Sequence, residues 1–120
     1  MKGVKRVLIA DDEHGIRKLY ERELKREGYE VLFATNGQEA IQMVKEGRPD
    51  LIVMDIRMPG MDGIEAMSRI LEEKNDLPVV INTAYSAYKD NFLSWAAEAY
   101  LTKSADLSEL KGTIRSILDR

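Results

Sequence analysis

LIVMDIRMPGMDG, residues 51–63, decides how the rest of the chain is read. Four apolar residues, Leu51 to Met54, run straight into Asp55, and a turn rich in Pro and Gly follows. An apolar run this short, with no polar alternation, reads as a strand covered on both faces rather than a buried helix. A carboxylate at the end of such a strand is costly unless a cation or strong hydrogen-bond donors meet it. Asp62-Gly-Ile-Glu65 then offers an N-cap side chain with Glu three positions on, the pattern that opens a helix.

The same pattern recurs on both sides. Val7–Ala10, Val31–Ala34, Val79–Thr83 and Ala99–Thr102 are further short apolar runs, rich in β-branched or aromatic residues. Between them, apolar residues fall three or four apart: Ile16, Leu19 and Leu24; Ala40, Ile41 and Val44; Ile64, Met67, Ile70 and Leu71; Leu107, Leu110, Ile114, Ile117 and Leu118. These stripes are amphipathic helices facing a sheet. Asn36-Gly-Gln-Glu39 and Asp106-Leu-Ser-Glu109 repeat the capping spacing, while Gly28 and Gly47 suit helix exits. The segment AYSAYKDNFLSWAAEA, residues 84–99, lacks a clean stripe and is read as a short helix near residues 87–96.

Five strands alternating with helices predict an α/β fold, a doubly wound five-stranded parallel sheet with right-handed crossovers and helices on both faces. Residues 1–120 read as one domain, with no repeats, linkers or low-complexity stretches. Charged residues make up 32% and apolar residues 44%, a globular balance. A net charge of −3 with no Lys/Arg-dense block argues against direct nucleic-acid binding. The absence of cysteine excludes a disulfide framework, a thiol nucleophile and a Cys-based zinc site. The N-terminal apolar run VLIA is too short for a signal peptide, and no run approaches membrane-spanning length, so a cytoplasmic protein without membrane contact is expected.

In such a sheet, strand carboxyl ends line one edge, where ligands bind. Asp11 and Asp12 follow the first strand and Asp55 ends the third, while Thr83 and Lys103 close the fourth and fifth. Carboxylates from two strand ends, with a backbone carbonyl and waters, suit a hard cation such as Mg²⁺, with Mn²⁺ as a substitute. Asp55 then serves as a nucleophile toward phosphorus. The Lys103 ammonium and the Thr83 hydroxyl would stabilise the phosphoryl oxygens, and Ala84 leaves room for the arriving group. Each residue also has a plainer role. Asp11, Asp12 and Glu13 favour a helix N-terminus, Asp55 suits a turn, Thr83 a strand, and Lys103 a solvated strand end. Five plain roles would have to coincide at one edge. His14 is read as exposed and structural, and Met54, Met58 and Met61 as packing.

The motifs VLIADDE, DLIVMDIRMPGMDGIE, INTAY and AYLTKS occur in the order and approximate spacing of the receiver domains of two-component response regulators, chemotaxis regulators among them. The chain resembles that family over essentially its whole length. The resemblance implies the flavodoxin-like strand order 2-1-3-4-5. It implies Mg²⁺ held by Asp11, Asp12, Asp55 and the Arg57 carbonyl, and phosphoryl transfer to Asp55 from a histidine kinase or histidine phosphotransfer protein. Thr83 and Lys103 would contact the phosphoryl group, with Tyr100 as the aromatic switch residue signalling to a downstream protein or effector domain. Arg57 and Tyr85 occupy the positions that tune self-dephosphorylation, and their bulk implies a slow reaction. Two features depart from the pattern: Ser104 stands where Pro usually follows the lysine, and the stretch from Thr83 to Lys103 is shorter than usual. Without proline a cis bond costs about 2.5–4 kcal/mol, so the Lys103–Ser104 bond is expected trans or strained.

Three other readings fit less well. A flavin carrier needs a phosphate loop where Asp11-Asp12-Glu13 would repel a phosphate. An aspartyl phosphohydrolase usually shows a D-x-D pair, which Asp55-Ile56-Arg57 lacks. A phosphorylation-independent interaction module would not need all five site residues.

Overall fold

The computed structural model describes residues 3–84 and 96–120. The apolar runs form β1 (Arg6–Ala10), β2 (Glu30–Ala34), β3 (Leu51–Met54), β4 (Val79–Thr83) and β5 (Ala99–Thr102). They pair in parallel in the order β2-β1-β3-β4-β5. The periodic segments form α1 (His14–Arg26), α2 (Gly37–Gly47), α3 (Gly63–Glu73) and α4 (Ser108–Leu118). The short helix expected near residues 87–96 falls outside the described residues except for its last position, Ala96.

Side-chain alternation along each strand sorts the core into two layers. Val7, Ile9, Leu51, Val53 and Val80 pack under α1 and α4 with Tyr20, Leu24, Leu110 and Ile114. Leu8, Ala10, Ile52, Met54 and Ile81 pack under α2 and α3 with Ala40, Val44, Met67 and Ile70. β3 and β4 are buried throughout, which is why they are written as unbroken apolar runs; β2 and β5, at the edges, are half-buried. Met54 and Met58 are buried and Met61 packs against the same layer, while His14 is exposed.

The caps are partly as expected. The Asn36 and Asp62 side chains accept from the amides of Glu39 and Glu65 at 2.8 and 2.9 Å. Glu39 reaches the amide and hydroxyl of Thr35, both at 2.7 Å, rather than the cap residue's own amide. Asp106 does not cap toward Glu109; it accepts from the Ser108 amide at 2.9 Å. α4 begins at Ser108, one residue later than that pattern places it, with Leu107 at the cap position. Gly28 exits α1 at φ +97°. At the end of α2 the left-handed residue is Arg48, φ 48°, and Gly47 supplies space instead: a Cβ there would lie 2.7 Å from Leu32 Cδ1. No cis peptide occurs among the described residues, so Lys103–Ser104 is trans. The Ser104 hydroxyl accepts from the Asp106 amide at 3.1 Å, turning the chain toward α4.

Candidate functional site

The sheet itself holds the site. Asp11 and Asp55 directly follow β1 and β3, Thr83 ends β4, and Lys103 directly follows β5. Each is fixed by one more rung of the ladder. The Asp11 amide donates to the Ala34 carbonyl at 3.0 Å, the Asp55 amide to Ala10 at 2.9 Å, and the Lys103 amide to Thr83 at 2.8 Å. The sequence-predicted residues therefore converge on a rigid edge.

The Lys103 ammonium stands 2.8 Å from Asp11 Oδ2 and 3.0 Å from Asp55 Oδ2, with Glu13 Oε1 at 3.7 Å. The other carboxylate oxygens take backbone donors: Asp11 Oδ1 from the Glu13 amide at 2.9 Å, and Asp55 Oδ1 from the Ile56 amide at 2.8 Å. Asp11 and Asp55 are only 3% and 5% exposed, whereas Asp12 faces solvent. Burial pushes the Asp11 carboxyl above the ordinary aspartate range, although Lys103 and the Glu13 amide pull it back. Burial also opposes the charge on Lys103, but its bonds to Asp11 and Asp55 outweigh that and raise it above the ordinary lysine value. The ammonium is therefore permanent at neutral pH.

The carboxylates of Asp11, Asp55 and Glu13 face the one Lys103 ammonium, and Asp12 lies beside Asp11 and Asp55. Oxygens of Asp11, Asp12 and Asp55 lie within 4.8 Å of one another. An all-oxygen donor set with one member open to solvent fits Mg²⁺, which keeps several waters.

The remaining predicted residues surround this core. Thr83 is fully buried, and Ala84, next along, is exposed. Arg57 is exposed and borders an open depression with Asp12, Ile56 and Asp62. Tyr100 is half-buried on the α2–α3 side of β5. Tyr85 lies outside the described residues.

Other contributors were not singled out from sequence. The Arg17 guanidinium donates to the Asp11 carbonyl at 2.7 Å and so clasps the β1–α1 turn. Gly63 packs against the Asp55 backbone so closely that a Cβ would overlap the Asp55 carbonyl oxygen, and its amide donates to Ile56 at 2.8 Å. Its place after the Asp62 cap was the available signal, but that pattern speaks of helix initiation rather than of close approach. Asn82, inside β4, donates to the Tyr20 hydroxyl at 2.7 Å.

Sheet order and acidic edge together define an α/β domain with a cation-binding pocket at a strand-order switch point. The model of the response regulator receiver domain matches residues 7–115, and the chain belongs to that family. It is 37% identical over 117 residues to response regulator MprA of Mycobacterium leprae, covering 96% of this chain and 51% of that protein. It is 35% identical to the alkaline phosphatase synthesis transcriptional regulatory protein PhoP of Bacillus subtilis, covering 97% of this chain and 49% of that one. The chain thus spans about half the length of the curated relatives it matches. Among solved structures, response regulator TrrA of Thermotoga maritima in complex with Mg²⁺-BeF superposes with a TM-score of 0.92 at 42% identity. That match covers 95% of this chain and 99% of TrrA. TrrA bound to the histidine kinase ThkA matches with a TM-score of 0.90 at 43% identity, over 96% and 99% of the two chains. Among the described residues no helix is long and apolar enough to cross a membrane.

Proposed function

We propose that residues 1–120 form one receiver domain in which Asp55 accepts a phosphoryl group in a Mg²⁺-dependent reaction. The donor would be a histidine kinase, a histidine phosphotransfer protein or a small phosphodonor. The observation that carries this reading is the Lys103 ammonium bridging Asp11 and Asp55 at 2.8 and 3.0 Å beside a third carboxylate. An oxygen of Asp55 forms the new bond to phosphorus as the donor's P–N or P–O bond breaks, and the leaving group keeps the electron pair. Lys103 is already charged and stands 3.0 Å from Asp55 Oδ2, so it is in place to stabilise the phosphoryl oxygens without reorganisation. Asp11, Asp12, Asp55 and the Arg57 carbonyl would hold Mg²⁺, which would supply further neutralisation of the phosphoryl oxygens.

Thr83 and Ala84 would receive the phosphoryl group, and Tyr100 would relay the change across residues 84–104 to a downstream protein or effector domain. The self-transfer and self-hydrolysis are chemistry of a signalling domain rather than of a turnover enzyme. The TrrA–kinase complex supports a histidine kinase as partner, and a cytoplasmic location suits such a partner. Arg57 and Tyr85 would restrict water and slow dephosphorylation, so an Arg57→Asn/Tyr85→Glu variant should decay faster than wild type. Unchanged or slower decay would remove the shielding role. The reaction itself is tested by incubation with acetyl phosphate and intact-mass measurement. One added phosphoryl group with Mg²⁺, and none with chelator, supports it; no added mass under either condition refutes it.

A further inference from the structure

The phosphoryl chemistry leaves one buried polar contact without a role. Asn82 Nδ2 donates to the Tyr20 hydroxyl at 2.7 Å, joining α1 to the next-to-last residue of β4. Tyr20 is 2% exposed and Asn82 4%. Val79, Val80 and Ile81 precede Asn82, and an apolar side chain would serve the core equally well there. Among the described residues no buried side-chain nitrogen or oxygen lacks a partner, so this amide depends on the phenol it meets.

Strand register shows what else the amide could meet. Val53 lies opposite Val80 and Met54 opposite Ile81. One further step sets Asp55 beside Asn82. Val53 and Val80 both face α1 and α4, so Asp55 and Asn82, two residues on, share that face. A neutral donor with two N–H groups therefore stands on the strand next to the reactive carboxylate. Asp55 already accepts from Ile56 on one oxygen and from Lys103 on the other. Another hydrogen bond would occupy a lone pair needed for attack or for the metal, and would make the carboxylate a poorer nucleophile.

We propose that Tyr20 is a positioning residue whose hydroxyl engages one N–H of the Asn82 amide and, by fixing that side chain's orientation, keeps the amide off Asp55. The Asp55 carboxylate is thereby left to Lys103 and Mg²⁺. Burial holds the Tyr20 phenol above its ordinary value, so it stays neutral. Without the hydroxyl, the buried amide must find another acceptor, and its strand neighbour offers one. The inference rests on Asp55 as phosphoacceptor.

The test compares wild type, Tyr20→Phe and Tyr20→Phe/Asn82→Leu in two measurements. These are the initial rate of phosphoryl uptake from acetyl phosphate, and Mg²⁺ affinity by calorimetry. Tyr20→Phe should slow uptake about tenfold and weaken Mg²⁺ binding by a similar factor, while still taking up one phosphoryl group at the end point. The double variant, with both polar partners replaced by apolar groups, should return to within about twofold of wild type in both measurements. A packing role predicts the reverse, a double variant at least as impaired as Tyr20→Phe. That result overturns the proposal, as does a Tyr20→Phe variant equal to wild type or a double variant that does not fold. Should Tyr20→Phe alone fail to fold, recovery of wild-type behaviour in the double variant still supports the proposal. If wild type takes up no phosphoryl group, the reading of Asp55 falls, and the Mg²⁺ affinities alone decide whether Tyr20 guards this carboxylate.

Discussion

Two lysine–carboxylate contacts in this molecule have opposite characters. In the seam between α1 and α4, Lys111 meets Glu23 at 2.7 Å and Arg115 meets Glu27 at 2.6 Å. The hydrogen bond from Lys111 holds the Glu23 carboxyl below its ordinary value. At the sheet edge Lys103 meets Asp11 at an equally short 2.8 Å, yet burial holds the Asp11 carboxyl above its ordinary value. The difference lies in solvent and in number. The Glu23 side chain is 16% exposed, whereas Asp11 is almost fully buried and shares its lysine with Asp55. A solvated ion pair adds little to stability, whereas a buried lysine shared by two carboxylates is costly to remove because charge is left uncompensated. The buried cluster is also one that a further cation can complete.

Removing the lysines gives the largest contrast. Lys103→Met leaves two buried carboxylates without a cation and should lower stability by about 2–3 kcal/mol, with a large fall in the rate of phosphoryl uptake. Lys111→Met should cost much less and leave uptake unchanged. Equal losses in denaturant melts would break the distinction.

Metal addition comes next. Mg²⁺ at about ten times its dissociation constant should stabilise wild type by roughly 1.4 kcal/mol. Asp12→Ala should blunt that response, and Glu23→Gln should leave it intact. An Asp12→Ala melt that shifts as much as wild type would show the metal site to be misplaced.

Smallest is the pH effect, whose sign differs between the two regions. Asp11, raised in the folded state, binds its proton more tightly there than when unfolded. It therefore adds stability as pH falls from its raised value toward the ordinary aspartate value of 3.8. Glu23, lowered when folded, stabilises above the ordinary glutamate value of 4.5 and loses that contribution as pH falls through its lowered one. Stability should fall more steeply on acidification in Asp11→Asn than in wild type, and less steeply in Glu23→Gln. Parallel curves would remove the sign difference.

Much of this was legible in the sequence because burial on both faces of a parallel sheet leaves unbroken apolar runs that end where the chemistry begins. Asp11, Asp55 and Lys103 were readable as strand-end residues, and strand order came from family resemblance. What stayed hidden depends on contacts distant in sequence or on space. Asn82 sits within a run that reads simply as strand, and its partner is 62 residues away. Gly63 and Gly47 matter for side chains they lack, so capping patterns explain them only in part. The Asp106 pattern slipped because α4 starts one residue later, at Ser108, so Asp106 takes the Ser108 amide instead of the Glu109 amide, a boundary that spacing does not encode.

The central claim is that Asp55, alone among the clustered carboxylates, takes the phosphoryl group. Borohydride reduction of the phosphorylated chain converts an aspartyl phosphate to homoserine, which peptide mass mapping locates. Conversion at position 55 alone, with no phosphoryl uptake by Asp55→Asn, is the expected result. Conversion at Asp11 or Asp12, or undiminished uptake by the Asp55→Asn variant, would contradict the account.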